Sequence, residues 1–159
     1  MKRSIAPLVP LAALLALALA PSCKSSQPEP RWVTADVTAG NDRLLMDVTA
    51  LSLQKTGFPI GSGIDPGQLT VVTGWNTSLA PFRGKGWREK CEVHYKKTGP
   101  RKYEASIRVQ REKNDDILRP LDLTYAKWIP AEDNQDRARH VLQHVRSLLG
   151  GDIQISEKR

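Results

Sequence analysis

Cysteine, histidine and long apolar runs are all scarce in this chain. Its 159 residues hold two cysteines, three histidines, two phenylalanines and two methionines. No stretch reaches the ~20 uninterrupted apolar residues that span a bilayer comfortably, because Pro7 and Pro10 break the one apolar run, residues 5–20. A retained transmembrane helix is therefore not expected. Catalytic patterns are missing too. No serine stands in a Gly-x-Ser-x-Gly elbow. His140 and His144 are four apart, but Val141 occupies the place where a zinc protease needs glutamate. With no third ligand indicated, both are read as solvated flank residues, as is His94 on the wet face of a strand. No metal or other cofactor is expected. Asp115 and Asp116 are adjacent in a turn, where their side chains diverge rather than bracket a bond. Gly61-Ser-Gly63 follows a helical pattern and leads into a strand, the reverse of what a phosphate-binding loop requires, so it reads as a connection ending at the Pro66-Gly67 turn. No catalytic residue is assigned, and no internal repeat is seen.

What is present is most informative at the N-terminus. Met1-Lys-Arg-Ser4 is a positive start followed by the apolar run, the order of a secretory signal. Ordinary cleavage after Ala20 would put Pro21 beside the scissile bond, where its ring removes an N–H that a protease would hold. Cleavage just before Cys23 avoids that obstacle. The stretch Leu19-Ala-Pro-Ser-Cys23 resembles the lipobox of bacterial lipoproteins, in which a small residue precedes the cysteine that becomes lipidated and N-terminal. Ala20 stands where that family usually has leucine.

The resemblance implies a signal peptide at 1–22, lipid attachment at Cys23 and a flexible tether over 23–31, whose Lys24-Ser-Ser-Gln-Pro-Glu-Pro30 has nothing to bury. It also implies a cell-envelope location. Lys24 is not an aspartate-type inner-membrane retention signal, which favours the outer membrane, facing the periplasm. Removing residues 1–22 leaves 22 basic against 17 acidic side chains, a net of +5. In an exported protein this balance points to anionic envelope polymers, lipid headgroups or solubility, not to nucleic acid.

Residues 32–150 read as one domain and 151–159 as a tail, in which Ile153 and Ile155 offer an edge strand. Val33, Ala35 and Val37 alternate with polar residues, as in a half-buried strand. Leu44, Leu45, Val48 and Leu51 then recur at helical spacing, with a cap within Ala39-Gly-Asn-Asp42. Gly57 fits the left-handed position after the helix, which makes Leu53 and Phe58 the pair joined by a Schellman ending. Leu69, Val71, Thr73 and Trp75 are expected on one face of a following strand.

Trp87, Cys91, Val93 and Tyr95 share a strand face on which Glu89 is the exception, and Tyr103, Ala105, Ile107 and Val109 repeat that face. Charge sets the register: Arg88 meets Glu112, Glu89 meets Arg111, Glu92 meets Arg108 and Lys96 meets Glu104, each pair contributing a few tenths of a kcal/mol, to order of magnitude. Cys91 then faces Val109 in the core, and the charged face becomes a solvated ladder. Leu121, Leu123 and Tyr125 read as one more strand. Ala138, Val141, Leu142, Val145, Leu148 and Leu149 form the stripe of a last helix ended by Gly150-Gly151. The expected class is α+β: two layers, an antiparallel sheet of about four to six strands and two helices on one face, in the order β-α-β-β-β-(β)-α.

One segment reads as a candidate binding surface. In Pro81-Phe-Arg-Gly-Lys-Gly-Trp-Arg-Glu-Lys90, the cations Arg83, Lys85, Arg88 and Lys90 interleave with Phe82 and Trp87, a combination that holds phosphates or carboxylates while rings pack on sugars or acyl chains. Further, Leu51-Ser-Leu-Gln-Lys-Thr-Gly-Phe-Pro-Ile60, then Asp65, then Leu69 to Trp75, is similar to the helix, Gly-Phe, Asp turn, strand and Trp order of small periplasmic α/β domains of outer-membrane assembly lipoproteins. That likeness implies an interaction role. The first reading is a non-enzymatic, membrane-anchored envelope lipoprotein that meets a protein partner or helps an assembly. Its alternatives are a binder of anionic glycolipid, phospholipid or envelope polymer through Arg83 to Lys90, and an uncharacterised secreted enzyme.

Overall fold

The computed structural model describes residues 28–61, 63–79 and 86–150. Cys23 and the signal segment, Phe82, Arg83, Lys85, and the tail with Ile153 and Ile155 lie outside the described residues. The chain order is β1 (Val33–Thr38), α1 (Asp42–Lys55), β2 (Ile64–Asp65), β3 (Thr70–Val72), β4 (Asn76–Ser78), β5 (Trp87–Gly99), β6 (Lys102–Asn114), a 3-10 turn (Leu123–Tyr125), β7 (Trp128–Ala131) and α2 (Gln135–Leu148).

Alternation over β5 and β6 gives the hairpin at the centre of the sheet, and its register is the one the charges select. Arg88 stands opposite Glu112, Glu89 opposite Arg111, Glu92 opposite Arg108 and Lys96 opposite Glu104, and Cys91 faces Val109. Around the hairpin the described strands form one antiparallel sheet in the order β1-β6-β5-β3-β2, with β4 also on β5 and β7 also on β6. The class is α+β, as expected; the sheet reaches seven strands because β2 and β4, two and three residues long, are too short to show a period.

Both helices lie on the sheet face that carries Cys91, Val93, Ile107 and Val109, all without exposed surface. Each such aliphatic side chain contributes about 1.5–3 kcal/mol by leaving water. In α1 the buried stripe is Leu45, Met46, Thr49, Ser52 and Leu53, whereas Leu44 and Leu51 are exposed. The expected stripe is thus rotated. The reason is that the hydroxyl of Thr49 donates to Leu45 O at 2.7 Å and lies 2.6 Å from Tyr95 Oη, and that of Ser52 donates to Val48 O at 2.8 Å. A polar group whose bonds are made is buried at little cost, and apolar spacing alone does not reveal it.

Helix ends follow the sequence more closely. Asn41 caps α1 by accepting from Leu44 N at 2.8 Å. At the other end Gly57 has φ of +84°, with Phe58 N donating to Leu53 O at 2.9 Å and Gly57 N to Gln54 O at 3.0 Å. These are the two bonds of the Schellman ending.

Two expectations fail for local reasons. Val71 pairs Val93 and Val72 pairs Glu92, yet Asn76 pairs Glu89, so the chain between β3 and β4 holds one residue more than β5. This bulge turns Trp75 to the sheet face opposite Val71 and Thr73. The second concerns Leu121, Leu123 and Tyr125, which form no strand: the last two lie in the 3-10 turn, all three are exposed, and the strand is β7 instead. Pro120 lacks a ladder donor, and Asn114 gathers the segment into a loop through its own side chain.

Candidate functional site

The sheet face turned away from the helices carries the outward residues of β5 and β6 and, among the described residues, no helix. Arg88 is its centre. Its guanidinium lies 4.4 Å from the ring centre of Trp75, between β3 and β4, and 4.8 Å from that of Trp128 in β7, so it stacks on two indoles brought together by the sheet. Arg88 Nε donates to Glu112 Oε2 at 2.7 Å, with a second guanidinium nitrogen 2.6 Å from the same oxygen. Lys90 reaches the same Trp75 ring at 5.4 Å and lies 3.5 Å from Glu92. Farther along, Trp32 meets His94 edge to face, with ring centres 5.1 Å apart.

This face is therefore not a fully solvated ladder. Arg88 and Glu112 keep only 27% and 14% of their side-chain surface, and two indole rings lie against the Arg88 guanidinium. Arg108, though opposite Glu92, engages Asp133 at 2.7 Å, and Arg31 N donates to the same carboxylate at 2.8 Å. The result is a platform of three tryptophans with internally paired charges.

Of the candidate segment, Trp87, Arg88 and Lys90 are described, and the pleat separates them. Arg88 and Lys90 stand on the open face; Trp87 stands on the helix face, near Arg111 and Arg137. Strand alternation makes one continuous basic-aromatic patch impossible at these three positions. Trp75, Trp128 and Glu112 complete the cluster around Arg88, and the two tryptophans lie outside the segment expected to bind. The charge register pointed to Glu112; nothing local pointed to Trp75, which needs the bulge.

On the helix face Glu89 is fully buried. Its Oε1 accepts from Arg111 Nε at 2.6 Å and from Asn134 Nδ2 at 2.8 Å, while Oε2 lies 3.3 Å from Arg137 Nη1 without a hydrogen bond. Arg137 also donates to Thr56 O at 2.8 Å and lies 4.7 Å from the ring centre of Phe58. The cluster joins the end of α1, the start of α2 and the hairpin. Cys91 is buried beside it, and burial pushes its thiol far above the ordinary range, so it is no nucleophile at neutral pH. His140 and His144 meet edge to face at 4.8 Å, and among the described residues no group of three metal-ligating side chains is found.

Beside the open face lies the loop between β6 and β7. Ile117 is 80% and Leu118 91% exposed, and Leu121, Leu123 and Tyr125 are also exposed. Yet the loop is internally tied. Asn114, itself buried, accepts at Oδ1 from Asp116 N and Lys127 N, both at 3.0 Å, and donates to Pro120 O at 3.3 Å. Asp116 accepts from Arg119 N, Asp122 accepts from Thr124 N, and Arg119 stacks 3.9 Å over Tyr125. Two of its acidic side chains are thus engaged by backbone donors of the loop itself, while its large apolar side chains remain exposed. No protein-family model and no curated protein matches the chain.

Proposed function

We propose that this protein is a lipid-anchored envelope protein, fastened at Cys23 and acting without catalysis as an interaction or assembly module. The observation that carries the interaction role is the sheet face that no described helix covers, on which Arg88 of β5 stacks with Trp75, in the bulge before β4, and with Trp128 of β7. Tryptophan and arginine are the residues that most often dominate binding energy at protein interfaces, and here they are held in place by the sheet before any partner arrives. The anchor part rests on the order of charged start, apolar run, Ser22 and Cys23. With β1 starting at Val33, ten residues beyond Cys23, the domain stays close to the bilayer.

Binding of an anionic glycolipid or polymer is the second reading. It is placed second because Arg88 and Lys90 already face Glu112 and Glu92, which neutralises them within the sheet. A photo-reactive residue placed at Thr34 or His94, on the open face, should give a discrete crosslinked protein in the native envelope. The same residue at Gln143, on the solvent side of α2, should not. Equal crosslinking from all three sites would reject the face as an interface.

A further inference from the structure

Water-facing loops normally keep large apolar side chains covered, and the loop of residues 115–127 does not. Within nine residues it presents Ile117, Leu118, Leu121, Leu123 and Tyr125 to solvent. Such a concentration of large exposed apolar side chains in one segment marks an interaction site more often than an idle surface. Nor is it a slack segment that happens to be exposed, since Asn114 closes its base and Asp116 and Asp122 hold its turns. The ordering cost of presenting these side chains has been met within the fold.

We infer that this loop inserts into the surface layer of the bilayer that holds the anchor, and so fixes which way the open sheet face points. The inference rests on the anchor reading for its choice of occupant. Three observations favour a bilayer. Exposed Lys113 and Lys127 stand at the two ends of the loop with Trp128 next to them, the residue types that sit at headgroup level beneath an inserted apolar tip. Of the loop's acidic groups, which lipid would repel, Asp116 and Asp122 accept backbone N–H bonds of the loop itself, and Asp115 stands at its base, with its N bonded to Lys127 O.

The third is reach. Arg31 is pinned to Asp133 and lies eight residues beyond Cys23, a span of up to about 27 Å. From Asp133 back along β7 to Lys127 is six residues of near-extended chain, about 20 Å. The tether is thus long enough for Cys23 and the loop to meet one bilayer plane together.

The test uses the chain from residue 23 onward with Cys23→Ser, which leaves the fully buried Cys91 as the sole native thiol. Leu118→Cys is labelled with an environment-sensitive fluorophore, and Gln143→Cys serves as the control. Vesicles of phosphatidylethanolamine and phosphatidylglycerol should shift the label at 118 to the blue and expose it to lipid-borne quenchers, with no change at 143. Ile117→Asp with Leu121→Asp should weaken partitioning by roughly tenfold or more, and since both side chains are exposed the far-ultraviolet circular dichroism should not change. No shift at 118 with vesicles overturns the inference. A shift that tracks protein concentration without vesicles assigns the loop to a second copy, and overturns it as well. The anchor is read separately by mass: lipid on Cys23 with a silent label at 118 rejects the loop alone, whereas insertion of the loop with an unmodified Cys23 rejects the anchor alone.

Discussion

Glu89 and Arg111 face each other across the central hairpin with 2.6 Å between carboxylate and guanidinium, and the glutamate has no exposed surface. A charge so placed interrupts an otherwise apolar strand face. It is tolerated because Arg111, Arg137 and Asn134 surround it, linking β6, α2 and the helix cap to one group. Breaking one side of a buried ion pair leaves the other charge uncompensated, at a cost of about 3–5 kcal/mol.

Glu89→Gln should therefore lower stability by about 3 kcal/mol, seen as a lower urea midpoint with unchanged slope. A loss below ~1 kcal/mol would mean that Arg111 and Arg137 find water or other partners easily.

Arg88→Lys keeps the charge and removes the planar fork that Trp75, Trp128 and Glu112 all engage. The expected loss is about 1–2 kcal/mol. In a double-mutant cycle with Glu112→Gln the two losses should fall short of additivity, because both remove one interaction. Full additivity in the cycle would contradict the stacked arrangement in which two guanidinium nitrogens meet one carboxylate oxygen.

Tyr95 gives a pH signature. Burial pushes its phenol up to about 12, against an ordinary value of 10.0, with the hydroxyl 2.6 Å from Thr49 Oγ1. A group with a raised folded-state value contributes its full stabilisation below the unfolded value. That contribution is lost as pH climbs, so stability should fall between about pH 10 and 12. Spectrophotometric titration at the phenolate band should show one tyrosine ionising only together with unfolding. Its ionisation near pH 10 in a still-folded protein would rule the buried bond out.

Much of the fold was legible because the residues that set it act locally or in alternation. The hairpin register followed from opposed charges, and the end of α1 from Gly57 with its Leu53 and Phe58 neighbours. The site was less legible. Trp75 reaches Arg88 only because a one-residue bulge reverses its face, and a period of two cannot announce its own interruption. The α1 stripe was misplaced because Thr49 and Ser52 are buried by hydrogen bonds, which hydrophobic spacing does not count. Leu121, Leu123 and Tyr125 alternate as a strand would, but Asn114 closes the backbone around them and Pro120 offers no ladder donor.

The decisive measurement is the intact mass of the mature protein recovered from its own host's envelope fraction. A chain beginning at Cys23 and carrying a diacylglyceryl or triacyl adduct is the predicted result, and it would place both the open sheet face and the apolar loop beside a membrane. An unmodified chain, or one beginning elsewhere, would contradict the anchor and make a soluble secreted binding protein the better description.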